Sequence, residues 1–194
     1  MNYGFDLDDT LTNTANVLNE YAIKFDKEYL KGEGKLKKID DAEDYYHFAD
    51  ALGWGNDDIK LFFEVYYLDI LKNVEIKPDA REAIAKLKIR GDKIYIITAR
   101  RERQDNIVEK ITKNSLEKYG VVYDNIFIDI QNKSEKVKEL KIDIFIDDGY
   151  KNCLEVKENT SAKVYMIETP FNKGIHDSSI LKIKSLNELL GDEN

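Results

Sequence analysis

Short apolar runs of strand length alternate with amphipathic stretches of helical periodicity along most of the chain. The strand-length runs lie at 2–6, 93–98, 125–128, 142–147 and 163–167. The helical stretches between them lie at 79–90, 103–119, 133–140 and 150–158. Pro78 suits the start of the first of these helices, and Gly91 suits its end. Because strands that alternate with helices form parallel sheets, the pattern predicts an α/β fold with a Rossmann-like parallel sheet covered on both faces.

The segment from 14 to 76 departs from this alternation, because it shows helical patterns at 14–31, 40–52 and 56–73 and no obvious strand. It is rich in aromatic residues, which are Tyr45, Tyr46, Phe48, Trp54, Phe62, Phe63, Tyr66 and Tyr67. At helical spacing most of them are expected to form the core of a small helical unit. Phe48 and Trp54 lie near a predicted helix end, and we expect them to face a cleft and stack on a planar group.

The first predicted strand runs directly into Asp6-Leu7-Asp8-Asp9-Thr10. Strand side chains alternate between faces, so Asp6 and Asp8 leave the strand end on the same side. Two carboxylates this close repel each other unless a cation or a shared proton intervenes. The arrangement suits phosphoryl transfer, in which one Asp attacks phosphorus, the other handles the leaving-group proton, and a divalent cation holds both near the phosphate. The alternative is that Asp8 and Asp9 only cap the following helix.

Two later strands also end in polar side chains. One ends in Thr98, whose hydroxyl is a suitable donor to phosphate oxygens. The other ends in Asp147 and Asp148, which are a typical oxygen-ligand supply for Mg²⁺. Helix capping would explain either strand end by itself. Because ligands bind beyond the carboxyl ends of parallel strands, the three strand ends together predict one site for phosphate and Mg²⁺.

Cationic and amide side chains near these strand ends complete the predicted site. Lys133 stands at the start of a helical stretch, where one ammonium group could neutralise both a nucleophilic carboxylate and a phosphate. Arg100 closely follows Thr98 and is expected to point toward the cleft as a phosphate-binding residue. Asn152 lies four residues beyond Asp148 and is expected to orient the waters of the metal or Asp148 itself, with a helix-surface role as the alternative.

Taken in order, the segments FDLDDT, IITAR and NKSEKVKELKIDIFIDD resemble the four motifs of the haloacid dehalogenase superfamily, over residues 3 to about 170. The resemblance implies Asp6 as nucleophile and Asp8 as general acid/base, with Thr98 and Lys133 on the phosphate. It implies Mg²⁺ held by Asp6, the Asp8 backbone carbonyl and Asp147. The second Asp of the first motif is the mark of phosphatases, because the dehalogenases of the superfamily lack it.

The same resemblance implies a domain organisation and a subfamily. Residues 1–13 and 77–194 would form the α/β core, and 14–76 would form a small helical cap inserted after the first strand. Asp148, Asn152 and Thr10 would support the site. The chain is most similar to the cytosolic type C 5'-nucleotidases, which include pyrimidine deoxyribonucleotidases, and the segment Thr169-Pro170-Phe171-Asn172 is the most telling likeness.

The composition of the chain limits the kinds of molecule that it is expected to bind. The chain has 194 residues with 38 acidic and 30 basic side chains, a net charge of −8, so it lacks the basic face that a nucleic acid polymer would demand. A small phosphorylated substrate is compatible, because Mg²⁺ and Lys133 would offset its charge locally. Neither a membrane-spanning apolar run nor the pattern of a signal peptide is present in the sequence. A lone Cys153 cannot form an internal disulfide, which fits a reducing cytoplasm.

These patterns favour a Mg²⁺-dependent phosphomonoester hydrolase that acts through an aspartyl-phosphate, with (deoxy)nucleoside monophosphates as the expected substrates. A phosphatase for sugar phosphates or another small phosphomonoester is the first alternative. A non-enzymatic phosphoacceptor or ligand-sensing domain is the second. Receiver-type phosphoacceptors, however, have no reason to place an acid/base two residues after the nucleophile. The sequence carries no readable signal of the oligomeric state.

Overall fold

The computed structural model describes residues 1–35 and 47–191 and contains a six-stranded parallel sheet. Its strands are β1 (Asn2–Phe5), β2 (Lys93–Ile97), β3 (Asn125–Phe127), β4 (Ile144–Asp147), β5 (Lys163–Ile167) and β6 (Leu181–Ile183). Their order across the sheet is β3-β2-β1-β4-β5-β6, and every adjacent pair is parallel. The prediction of an α/β fold with a Rossmann-like parallel sheet is therefore confirmed. The sequence pattern did not predict β6, because three residues are too short for alternation to stand out.

Helices connect the strands and cover the sheet. They are α1 (Thr14–Glu28), α2 (His47–Leu52), α3 (Asn56–Asn73), α4 (Pro78–Ile89), α5 (Ile107–Lys118), α6 (Lys133–Glu139) and α7 (Tyr150–Asn159). Short 3₁₀ turns add Gln104–Asn106 and Leu186–Leu190. Within the described ranges, none of the helices combines the length and the apolar character that a membrane crossing requires.

Local backbone conformation explains the boundaries of α4 and the start of α5. Pro78 occupies the first turn of α4, and Gly91 follows this helix with φ of +90°, a left-handed conformation that glycine adopts without steric cost. Helix α5 begins four residues later than the predicted start at 103. The reason is that Asp105 and Asn106 have φ of +61° and +54°, values that interrupt a right-handed helix.

The order of the strands explains why distant segments meet. Strand β1 lies between β2 and β4, with Phe5 in register with Ile96 on one side and Ile146 on the other. Because all three strands run in the same direction, the residues that follow them emerge at one edge of the sheet. At this edge Asp6 follows β1, Thr98 follows β2 and Asp147 ends β4.

Buried side chains form apolar clusters on both faces of the sheet and among the first helices. The clusters on the two faces of the sheet draw on the strands and on α4–α7. A third cluster consists of residues of α1, α2, α3 and their connections, including Leu18, Phe25 and Phe62. We call α1, α2 and α3 the cap helices. The two connections to these helices meet at an antiparallel bridge between Thr12 and Ile76.

Candidate active site

The loop after β1 folds tightly around its own backbone. The amides of Leu11 and Thr12 donate to the Leu7 carbonyl at 2.9 and 3.1 Å, and the Thr12 hydroxyl donates to the same oxygen at 2.9 Å. Asp9 adopts φ of +54°, the left-handed conformation that glycine takes more readily at this turn. Thr10 is fully buried in this loop, and its hydroxyl has no hydrogen-bond partner within the described part of the chain. The tight turn holds Asp6 and Asp8 at the edge of the sheet.

Lys133, the first residue of α6, joins two of the strand-end carboxylates. Its Nζ lies 2.5 Å from Asp6 Oδ1 and 2.6 Å from Asp147 Oδ2, and all three side chains are buried. Burial alone would lower the pKa of Lys133, but the charges of Asp147 and Asp6 outweigh it and raise that pKa. The side chain of Asn132 caps this helix by accepting from the Glu135 amide at 3.2 Å, which fixes the position where Lys133 begins it.

Carboxylate groups of Asp6, Asp147 and Asp148 converge, each offering an oxygen within 4.8 Å of the others. Burial raises the pKa of Asp6 to about 7 against the opposing charge of Lys133, and the neighbouring Asp147 and Asp8 raise it further. Burial and the charge of Asp147 raise the pKa of Asp148 as well. The ammonium group of Lys133 contacts two of these three carboxylates, and the group keeps a concentration of negative charge on hard oxygen atoms. This donor set fits Mg²⁺, a hard cation that prefers a few carboxylates together with water and phosphate oxygens.

The two acids at the end of β4 have different surroundings. Asp147 is fully buried, and its Oδ1 accepts from the Gly149 amide at 2.7 Å. The Asn152 amide group donates to both oxygens of Asp147 at 3.1 Å. Asp148 instead lines the cavity. Asn152 therefore orients Asp147 here, whereas the sequence analysis connected it with Asp148 or the waters of a metal.

Asp8 is held by groups from two other parts of the chain. The guanidinium of Arg100 forms a fork on it, with Nε 2.8 Å from Oδ2 and Nη2 2.7 Å from Oδ1. The Thr14 hydroxyl donates to Oδ1 at 2.6 Å from the first residue of α1. Burial alone would raise the pKa of Asp8, but the charge and hydrogen bonds of Arg100 and the bond from Thr14 lower it below its ordinary value.

Thr98 is buried at the end of β2, where its amide donates to the Phe127 carbonyl at 3.0 Å. Its hydroxyl accepts from the Arg100 amide at 3.2 Å. Together with Asp6, Asp8 and Lys133, Thr98 lines a cavity of about 810 Å³ beyond the strand ends. The structure thus brings the predicted nucleophile, acid/base, hydroxyl and ammonium group to one cavity.

Helix α3 forms the opposite wall of this cavity. Phe62 and Tyr66 point into the core of the cap helices, whereas Phe63 and Tyr67, each one residue further along, line the cavity. One residue corresponds to about 100° of rotation around a helix, so adjacent aromatic residues face different environments. Lys60 and Glu64 line the same wall. Sequence analysis did not select these residues, although their spacing of three and four residues on α3 is the signal of a shared face.

The structure corrects the expectation that Phe48 and Trp54 face the cleft. Phe48 is 3% exposed and Trp54 is 8% exposed, and both belong to the apolar core of the cap helices. The indole Nε1 of Trp54 donates to the buried Asp26 carboxylate at 2.9 Å, which satisfies its only polar group inside that core. Neither residue lines the cavity. Tyr45 and Tyr46 lie outside the described residues.

The Thr169-Pro170-Phe171-Asn172 segment lies behind the acidic strand end. Asn172 is buried, and its amide group donates to the Asp148 carbonyl and to the Ile167 carbonyl, both at 2.8 Å. Its side-chain oxygen accepts from the Thr169 amide at 3.0 Å. The segment therefore ties the end of β5 to the loop that carries Asp148. In this structure the segment that carries the likeness to the type C 5'-nucleotidases supports the backbone of the acidic loop.

A parallel sheet whose strand ends carry paired carboxylates, a buried hydroxyl and a lysine is suited to phosphoryl transfer. The chain belongs to the haloacid dehalogenase-like hydrolases, because the model of that family matches residues 4–168. The resemblance deduced from the motifs is confirmed at the level of the superfamily.

Individual proteins are similar to this chain in sequence or in structure. A protein from Clostridium acetobutylicum named as a nucleotidase is 28% identical over 192 residues, which cover 98% of this chain and 92% of that protein. A haloacid dehalogenase-like hydrolase from Streptococcus pneumoniae has a similar structure, with a TM-score of 0.65, 14% identity and coverage of 97% and 96% of the two chains. A mutant of CbbY from Rhodobacter sphaeroides, solved with xylulose-1,5-bisphosphate, has a TM-score of 0.64, 13% identity and coverage of 97% and 95%. At these identities the two solved structures are evidence for the fold alone.

Proposed function

We propose that this enzyme hydrolyses phosphomonoesters through an aspartyl-phosphate on Asp6, with Asp8 as acid and then base. The observation that carries the proposal is the pairing of two different acids on one cavity. Asp6 is bound to Lys133 in the acidic group, whereas Asp8, two residues away, is bound to Arg100. Two carboxylates held by different cations on one cavity are suited to different tasks in one reaction.

In the first step, Asp6 attacks phosphorus and the ester oxygen leaves with a proton from Asp8. The arriving phosphate adds negative charge beside Asp8, which raises the pKa of this carboxyl toward the protonated form that the step needs. In the second step, ionised Asp8 takes a proton from water, which attacks the aspartyl-phosphate and releases phosphate. Thr98 and Lys133 would donate to the transferring oxygens as negative charge develops on them.

Asp6, Asp147 and Asp148 are the side chains that would hold Mg²⁺, with the Asp8 backbone carbonyl as a further ligand. When bound, the cation would neutralise the phosphate and the nucleophile in the same place. The sequence analysis gave Asp148 a supporting role. We now include it among the proposed ligands, because it is the acid of the β4 pair that lines the cavity.

We further propose a nucleoside monophosphate as the substrate, in the manner of the type C 5'-nucleotidases, with residues 14–76 as a cap domain. The relative named as a nucleotidase supports this reading along almost its whole length. The aromatic wall of α3 also supports it, because Phe63 and Tyr67 offer rings beside the cavity for a planar base. A buried lone cysteine, Cys153, suits the reducing cytoplasm where such substrates occur.

A panel of phosphomonoesters tests this proposal. We expect turnover of p-nitrophenyl phosphate that depends on added Mg²⁺ and stops when the cation is chelated. We also expect deoxynucleoside monophosphates to exceed deoxyribose 5-phosphate in kcat/KM. An equal preference for the bare sugar phosphate would favour the sugar-phosphate alternative. Absence of turnover on every ester would overturn the hydrolase mechanism itself.

A further inference from the structure

Arg100 holds the carboxylate of Asp8 in a fixed orientation, and we propose that this is its function. Arg100 is thus a positioning residue that acts through the acid/base, whereas the sequence analysis treated it as a ligand of the phosphate. The inference rests on the proposed function, because it concerns how efficiently Asp8 moves a proton. It predicts an effect on turnover with little effect on the binding of phosphate.

The geometry of the ion pair is the first argument. Nε and Nη2 of Arg100 approach different oxygens of Asp8, at 2.8 and 2.7 Å, so the two planar groups face each other edge to edge. Such a fork fixes the plane of a carboxylate as well as its position. The Arg100 side chain is 4% exposed and that of Asp8 is 18% exposed, so the pair is largely shielded from competing water.

The arginine is itself held from both ends, which is the second argument. Nη1 donates to the buried Thr112 hydroxyl of α5 at 3.0 Å. At the other end, the Arg100 carbonyl accepts from the Asp129 amide at 3.1 Å, and its amide donates to the Thr98 hydroxyl at 3.2 Å. A guanidinium fixed to another helix and to its own backbone behaves as a rigid support. Any shift of the guanidinium away from Asp8 would break contacts that the structure provides.

The two acids of the first loop are bound by different cations. Lys133 lies on Asp6, at the carboxylate that would receive the phosphoryl group, whereas Arg100 lies on Asp8. The acid/base must present one oxygen to the leaving group, and a misdirected carboxylate loses much of its effect. Fixing Asp8 is therefore a task that the reaction requires.

The test compares Arg100→Gln and Arg100→Lys with the wild-type enzyme, using p-nitrophenyl phosphate, an alkyl phosphate and inorganic phosphate as a competitive inhibitor. We expect Arg100→Gln to lower kcat on the alkyl phosphate about ten- to a hundredfold, part of the ~10²–10⁴-fold that a general acid/base contributes. The loss on p-nitrophenyl phosphate should be smaller, because that leaving group needs less help from a proton. KM and the inhibition constant of phosphate should change by less than about threefold, because in this proposal the substitution removes no contact to the bound phosphate.

Arg100→Lys separates the two roles and covers the case in which Arg100→Gln fails to fold. A lysine binds phosphate well as a point charge but cannot form the fork, so a positioning role predicts a loss nearly as large as in Arg100→Gln. A phosphate ligand would be largely restored by lysine. Adding Arg100→Gln to Asp8→Asn should produce little further loss, because the support has no acid left to position.

Arg90→Gln is the matched control, because it removes another Arg–Asp pair, with Nε 2.6 Å from Asp92 Oδ2, outside the cavity. It should leave all kinetic constants near wild type. A rise of tenfold or more in KM and in the phosphate inhibition constant of Arg100→Gln, with equal losses on both esters, would overturn the inference while the hydrolase mechanism stands. A wild-type enzyme without turnover overturns both.

Discussion

The two walls of the cavity differ in how their side chains are held. The strand-end wall includes Asp6, Asp8, Thr98 and Lys133, whose side chains are connected to other groups of the core by ion pairs and hydrogen bonds of 2.5–3.2 Å. The α3 wall consists of Lys60, Phe63, Glu64 and Tyr67, where aromatic contacts dominate. Phe63 and Tyr67 pack at 6.2 Å between ring centroids, and Arg103 lies 5.4 Å over the Tyr67 ring. The strand-end wall therefore holds its polar side chains in fixed positions, which suits a reaction. The α3 wall offers aromatic surface, which suits the binding of a ligand.

The largest effect is expected for the nucleophile of the strand-end wall. Asp6→Asn should abolish hydrolysis, because an amide cannot attack phosphorus. The fold should persist, since the substitution removes a buried charge from an acidic group. Turnover measured by phosphate release, with circular dichroism as the control for folding, checks this. Near-wild-type turnover would eliminate the covalent mechanism.

Asp8→Asn should lower turnover by about 10²–10⁴-fold, the usual contribution of a general acid/base. The loss should be greater for an alkyl phosphate than for p-nitrophenyl phosphate, because the poorer leaving group depends more on the proton. Rates on the two esters under saturating Mg²⁺ provide the measurement. Equal losses would show that Asp8 does not protonate the leaving group.

The acidic group also predicts how stability changes with pH in the metal-free protein. Burial raises the pKa of Asp6 to about 7 and that of Asp9 to about 6, both above the ordinary value of 3.8. Between pH 4 and 7 the folded protein therefore binds more protons than the unfolded chain, so its stability falls as pH rises. Across this range the loss should be on the order of 2–4 kcal/mol. The lowered pKa of Asp8 acts in the opposite direction, below about pH 4.

Thermal unfolding in a chelator at pH 5.5 and pH 8 tests this expectation. The melting temperature should be lower at pH 8 by about 5–10 °C for a chain of this size. Mg²⁺ should restore much of the difference at pH 8, because binding to the folded state stabilises it. Asp6→Asn should reduce both the pH effect and the response to Mg²⁺. A wild-type protein that melts at the same temperature at both pH values would contradict the raised pKa of Asp6.

The sequence predicts the strand-end wall better than the α3 wall, because the two walls are formed by different kinds of element. Parallel strands end at one edge, so the positions of Asp6, Thr98 and Asp147 follow from the strand pattern without knowledge of packing. The direction of a side chain on a helix that packs on both sides depends on how the helices are oriented. For this reason the pattern places Phe48 of α2 in the cleft, although it is buried, and does not indicate Tyr67 of α3. The partner of Arg100 also depended on packing, since Thr112 and Asp8 are brought together only by α5 and the loop after β1.

The α3 wall should produce the smallest effect, and it should appear in selectivity. Stacking of a base on an aromatic face contributes roughly 1–3 kcal/mol, which corresponds to about five- to more than a hundredfold in kcat/KM. Phe63→Leu and Tyr67→Leu should each reduce the preference for a deoxynucleoside monophosphate over deoxyribose 5-phosphate, up to this amount. Phe62→Leu is the matched control, because its ring lies one residue away and is fully buried in the core of the cap helices. It should cost stability while the ratio of kcat/KM for the two substrates stays the same. If the α3 variants keep the wild-type ratio, the base does not contact this wall, and the reading of α3 as a nucleotide-recognition surface fails even though the strand-end wall still hydrolyses the ester.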